Sequence, residues 1–217
     1  MNLEQARANM VEQQIRPWEV LDPGVLELLY AVPREAFVPP ALRNLAFADL
    51  ELPIGEGEKM MAPKIEARIL QALALRKTER VLEVGTGSGY FTALLARCAA
   101  HVHSLEIRPG LAAFGRANLE RHGAENVTLE VGDGSRGDPK HAPYDAIVLT
   151  GSTPVLPAAL REQLLPGGRL FAVVGEAPIM VARMVTCTAP GSFATVDLFD
   201  TVLAPLVNAE QAPRFRF

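Results

Sequence analysis

An α/β fold around a mostly parallel sheet is predicted by three observations. Beyond residue 80, short apolar runs alternate with stretches of helical composition, the pattern of strands buried on both faces by the helices that connect them. The first of these runs, Val81-Leu-Glu-Val84, opens directly onto three glycines, Gly85, Gly87 and Gly89, and then onto the helix-like Tyr90–Ala100. Near residue 180 the alternation stops. Two strand-like runs follow, joined by Ala189-Pro-Gly-Ser192, a turn sequence suited to antiparallel neighbours. The expected architecture is Rossmann-like, with a terminal antiparallel hairpin and an N-terminal helical cover. All of it belongs to a single domain, residues 1–77 forming the cover and 78–217 the core.

The elements follow in order. Leu3 to Ile15 reads as an amphipathic helix with Leu3, Ala6, Met10 and Ile15 inward, stopped by Pro17. Asp22-Pro23 is a helix start, an acceptor side chain at the cap and Pro at the first helical position. Val25, Leu26, Leu28 and Leu29 form that helix's buried side, up to Pro33. Residues 33–57 are rich in proline and lack periodicity, which predicts an extended loop. A third helix spans Pro63 to Leu75 with Ile65, Ile69, Leu70 and Leu73 inward. Strands are expected at 80–84, 101–106, 127–131, 144–150 and 169–174. Helices are expected at 90–100, 109–122 and 157–165, with Gly123 ending the second. Strands at 181–188 and 193–202 form the hairpin.

Composition narrows the function classes. A chain of 217 residues that is 49% apolar and 21% charged can bury a sizeable core. A net charge of −4 without a long basic run argues against a nucleic-acid partner. The longest apolar stretches have strand length, so no membrane span is expected, and the N-terminus lacks a signal-peptide pattern. Cys98 and Cys187, far apart in apolar surroundings, read as reduced residues of a cytoplasmic protein.

The glycine segment carries the chemistry. Glycine permits positive φ and close approach of a ligand to the backbone, and N–H groups at the next helix start face that ligand. Dinucleotide sites use G-x-G-x-x-G, which requires glycine at position 90; that position is Tyr90, and a nicotinamide site is disfavoured. The observed G-x-G-x-G resembles the first motif of the seven-stranded S-adenosylmethionine (SAM) methyltransferases. Those enzymes often carry an acid where Glu83 stands. Glu106 ends the next apolar run about 20 residues on, where a carboxylate meets ribose hydroxyls. An ordinary strand-to-helix turn with incidental glycines is the competing reading.

The family resemblance extends over nearly the whole chain. Met10-Val-Glu-Gln-Gln-Ile-Arg16, Val32-Pro-Arg-Glu-Ala-Phe-Val-Pro39, Leu52-Pro-Ile-Gly-Glu-Gly57, Gly132-Asp-Gly134, Ala142-Pro-Tyr-Asp-Ala-Ile147 and Gln163-Leu-Leu-Pro-Gly-Gly168 resemble segments of the protein-L-isoaspartate O-methyltransferases. The resemblance implies a SAM-dependent enzyme that esterifies isoaspartyl carboxylates in damaged proteins or peptides. It implies that Gly85, Thr86, Gly87, Ser88 and Gly89 line the methionine and ribose portions. Glu106 and Ile107 would meet the ribose, and Asp133 and Gly134 the adenine. Asp133 as a plain turn residue, and Glu83 as a structural acid rather than a ligand contact, are the alternatives.

One segment departs from the family. Where it reads Gln-Thr-Ile-Ser-x-Pro, this chain has Glu58-Lys-Met-Met-Ala-Pro63. Met61 thus takes the place of the serine associated with the active site, and a thioether donates no hydrogen bond. Lys59 places a cation where the family has threonine. SAM binding is expected to be intact and isoaspartyl transfer weak or absent. A different acceptor, or SAM binding without transfer, are the alternatives. His101 and His103 share one strand face, but the sequence shows no third ligand and no metal is expected.

Overall fold

The computed structural model describes residues 2–212. Helix α1 (Leu3–Met10) is capped by the Asn2 side chain, which accepts from Gln5 N at 3.1 Å. It does not continue as an α-helix to Ile15. Val11–Ile15 widens to a π turn and Arg16–Trp18 tightens to 3₁₀. The wider turn brings Met10 and Ile15, five apart, onto one buried face with Val11; Leu3, expected inward, is exposed. Helix α2 (Pro23–Ala31) begins as expected, Asp22 accepting from Val25 N at 3.0 Å, and buries Val25, Leu26 and Leu29.

Residues 33–57 hold more structure than their composition suggests. Two 3₁₀ turns (Arg34–Ala36 and Pro40–Leu45) lead to a small antiparallel hairpin of β1 (Leu52–Gly55) and β2 (Glu58–Met60). Helix α3 (Pro63–Leu73) buries the four predicted residues and stops where Ala74 turns left-handed.

The core is a seven-stranded sheet. Its elements are β3 (Arg80–Val84), α4 (Tyr90–Ala96), β4 (His101–Glu106), α5 (Pro109–Arg121), β5 (Val127–Val131), β6 (Tyr144–Thr153), α6 (Ala158–Glu162), β7 (Leu164–Glu176), β8 (Ile179–Ala189) and β9 (Ser192–Asp200). The strand order is β5-β4-β3-β6-β7-β8-β9. The first five of these positions are parallel, while β8 is antiparallel to both β7 and β9. Helix α6 is shorter than expected, because the chain enters β7 at Leu164 and Pro166 cannot continue a helical hydrogen-bond ladder. From β3 the chain proceeds outward to β4 and β5, then returns to β6 on β3's other side. Such a reversal opens a crevice at the carboxyl ends of the strands on either side of it.

The cover is fastened through Arg34, a guanidinium only 1% exposed. Its Nε donates to Ala46 O at 2.9 Å and its Nη2 to Met61 O at 2.6 Å, and its Nη1 pairs with Glu66 of α3. Its Cζ lies 4.9 Å from the centre of the Tyr90 ring, on the core helix α4. Burial pushes the Glu66 carboxyl up to about 7, against the downward pull of Arg34. Removing one member of such a pair leaves a buried charge without a partner, which costs far more than the intact pair contributes. Arg34→Met is expected to destabilise the fold by about 3–5 kcal/mol in urea unfolding. Arg34→Met with Glu66→Met should recover most of that loss. Equal losses in the single and double variants would contradict the assignment.

Candidate functional site

The crevice at the ends of β3, β4 and β6 is walled by the glycine turn, the β4–α5 junction, residues 132–135, hairpin β1–β2 and residues 203–207. After Val84 the backbone turns through Gly85, at φ 98°. A Cβ at Gly85 would lie 2.2 Å from Thr150 Oγ1. That hydroxyl ties β6 to the turn, within hydrogen-bond distance of Val84 O (2.9 Å) and Gly85 O (2.8 Å).

Glu106 joins the two sides of the turn. Its Oε2 accepts from Gly87 N at 2.9 Å and its Oε1 from Arg108 N at 3.0 Å. The side chain is buried yet lies on the crevice wall. A carboxylate has roughly four lone-pair positions, so each oxygen keeps an acceptor position for a ligand hydroxyl. Ile107, Thr86 and Ser88 also line the crevice.

Glu83 has a different place. It is fully buried beneath the turn and is not part of the crevice wall. Thr92 Oγ1 and Ser104 Oγ both donate to its Oε2 at 2.6 Å, and Ser104 is bonded in turn to Thr86 Oγ1. Its partners are thus hydroxyls, and its Oε1 has none. Burial, outweighing these bonds, pushes its carboxyl up to about 8. Gly89, the N-cap of α4, likewise lies outside the wall and packs against Gly115 of α5.

Asp133 and Gly134 line the far end of the crevice. Asp133 Oδ1 accepts from Ser135 N and its Oδ2 from Asn208 Nδ2, both at 2.9 Å. Partial burial acts to raise this carboxyl, but the bonds from Ser135 and Asn208 outweigh it and hold it below its usual range. Asn208 belongs to a segment that sequence reading passed over. Ser152 N donates to Ala204 O and Leu206 N to Ser152 O, each at 2.9 Å, laying residues 203–207 along the crevice. Its only sequence signal is an apolar run broken by Pro205.

On the opposite side, Met60 and Met61 are buried and Lys59 is exposed. Three carboxylates that line the crevice there each have a cation. Lys59 lies 3.6 Å from Glu51, Arg108 lies 2.6 Å from Glu58, and Arg34 holds Glu66. Asp145 accepts from Arg80 N at 2.8 Å, a structural bond. Trp18 carries the Lys64 ammonium 4.0 Å above its ring and does not reach the crevice. Among the described residues no helix is long and apolar enough to cross a membrane.

Residues 5–211 match the family model described as protein-L-isoaspartate(D-aspartate) O-methyltransferase. The chain is 47% identical over 192 residues to a protein-L-isoaspartate O-methyltransferase 1 of Anaeromyxobacter sp., covering 88% of this chain and 91% of that one. It is 41% identical over 208 residues to the corresponding Roseiflexus castenholzii protein, covering 96% and 94%. Among solved structures, one bearing the same family name superposes with a TM-score of 0.79 at 25% identity, over 93% of this chain and 66% of that one. A Plasmodium falciparum structure of that name, in complex with S-adenosyl-L-homocysteine, superposes with a TM-score of 0.80 over 95% and 99%. At 22% identity the second likeness speaks to the fold alone.

The Glu83 environment makes a pH prediction. Below about 4.5, the ordinary carboxyl value, both folded and unfolded chains hold the proton. Between there and about 8 the unfolded chain loses it while the folded chain keeps it, so Glu83 increasingly opposes folding as pH rises. The melting temperature of Glu83→Gln relative to wild type should therefore climb from pH 5 to pH 8. A difference that does not vary with pH would contradict a buried, protonated Glu83.

Proposed function

Since the chain belongs to the protein-L-isoaspartate(D-aspartate) O-methyltransferase family, we propose that it transfers a methyl group from SAM to the side carboxylate of isoaspartyl residues in protein or peptide substrates. The observation that carries this reading is Glu106, a carboxylate that braces the glycine turn while keeping acceptor positions on the crevice wall.

The crevice residues fit SAM. Gly85, Thr86, Gly87 and Ser88 offer a close backbone surface for its methionine portion. Glu106 and Ile107 take the ribose, and Asp133 and Gly134 the adenine edge. Glu83 acts from behind, holding Thr92 and Ser104, and through Ser104 the Thr86 hydroxyl. When bound, SAM supplies an electrophilic methyl carbon on a sulfonium.

An isoaspartyl carboxylate is ionised near neutral pH, its reference pKa being roughly 4. It needs no general base. The protein's part is to hold the carboxylate in line and keep water away. Residues 1–77 would form the acceptor side, with hairpin β1–β2 and Met61 at the crevice. Lys59 is the exposed cation there, tethered to Glu51, and its flexible stem makes it a poor positioner. Because Met61 replaces a hydroxyl donor with an apolar group, we infer slow transfer. The same substitution, beside acids already paired, favours a second reading in which the acceptor differs. Two free cysteines suit a cytoplasmic setting.

Calorimetry should detect binding of S-adenosyl-L-homocysteine in the micromolar range, and Glu106→Ala should weaken it by about 1–3 kcal/mol through lost charged hydrogen bonds. Unchanged affinity would remove the ribose assignment. On an isoaspartyl peptide, Met61→Ser should raise transfer by about 10- to 150-fold with little change in cofactor affinity. A wild-type rate already equal to the variant's would show that position 61 does not limit the reaction.

A further inference from the structure

We propose that His103, Asp138 and His141 form a binding site for a divalent transition-metal ion of the zinc or nickel class, separate from the cofactor crevice. His103 comes from β4. Asp138 and His141 come from the loop between β5 and β6, and one ligand atom from each of the three lies within 4.8 Å of the others. His103, one of the strand pair, thus gains through the fold two ligands that sequence spacing does not reveal.

Two imidazoles and a carboxylate suit a borderline ion such as zinc or nickel better than calcium or magnesium, which prefer all-oxygen sets. In a tetrahedral site with ligand bonds of about 2.0–2.2 Å, ligand atoms stand roughly 3.3 Å apart. To reach that spacing one of the stacked imidazoles must turn, because the in-plane lone pairs of stacked rings run parallel. His141 Nδ1 and Asp138 Oδ2 are 2.6 Å apart; a bound ion would displace the proton between them, and metal binding would release it. The His103 and His141 rings stack at 4.6 Å and are partly exposed, which leaves room for water as a fourth ligand.

The surroundings hold the ligand loop in place. Asp138 N donates to Gln163 Oε1 at 2.8 Å, Tyr144 Oη donates to Asp138 Oδ2 at 3.0 Å, and Arg80 Nη2 donates to His141 O at 2.8 Å. His101 is turned to Thr128 Oγ1 at 2.9 Å and stays outside the set. Opposing charge near the site comes from Arg80 and Lys140; Lys140 is paired with Glu130 at 3.3 Å. The ligand loop also carries Asp133 and Gly134, so an ion here would pin to β4 the segment that closes one end of the crevice.

The test is titration of tag-free, chelator-treated full-length protein with ZnCl₂ by calorimetry, with Co²⁺ absorption as the coordination signature. One equivalent of metal should bind, raise the melting temperature and, for Co²⁺, give ligand-field bands of nitrogen coordination. His103→Gln and His141→Gln should each weaken zinc binding by at least about tenfold and abolish those bands, whereas His122→Gln should leave both unchanged. Either histidine variant suffices if the other does not fold. No stoichiometric binding by wild type, or equal binding by a folded His103→Gln or His141→Gln protein, would overturn the site.

Discussion

The Arg34 guanidinium is the constraint on which the relation of cover to core depends. It holds a loop carbonyl at Ala46, the carbonyl of Met61, the Glu66 carboxylate of α3 and the face of Tyr90 on α4. A guanidinium has five N–H donors in a fixed plane, so one side chain can set the mutual position of four segments. A buried ion pair of this kind contributes little net stability compared with apolar packing, but it penalises every arrangement that separates the partners. Its consequence for the site is direct. Met61 lines the crevice with its carbonyl held by Arg34, so a substitution there changes side-chain chemistry against a held main chain.

The second constraint is the glycine turn. Gly85 leaves no room for a side chain beside Thr150, and Glu106 clasps both Gly87 and Arg108. These contacts give the turn its shape before any ligand arrives. Preorganisation of this kind lowers the ordering cost of binding. Glu83 contributes from beneath through hydroxyls, and its charge state is set by burial.

Much of this was legible in the chain. The seven strands follow from apolar runs and turn signals, and a local spacing singles out Gly85, Gly87 and Glu106, which the fold brings to one crevice, while Gly89 lies behind it. What stayed hidden depends on contacts far apart in sequence. Hairpin β1–β2 is short and interrupted by Pro53, so neither alternation nor length reveals it. The π turn at Val11–Ile15 breaks the helical period, and Leu3, at the start of helix α1, is exposed. Glu83 could be read as ligand contact or structural acid until Thr92 and Ser104 were seen to converge on it. Arg34 and Asn208 carry no local signal for their roles, because their partners lie on other segments.

The most direct measurement of the central claim compares two peptides identical except for an isoaspartyl or an ordinary aspartyl residue, incubated with the protein and methyl-labelled SAM. A cover and core clamped around one crevice predict a base-labile methyl ester on the isoaspartyl peptide, formed slowly, and none on its aspartyl counterpart. Equal labelling of both peptides, or no labelling of either while SAM is bound, would contradict the account.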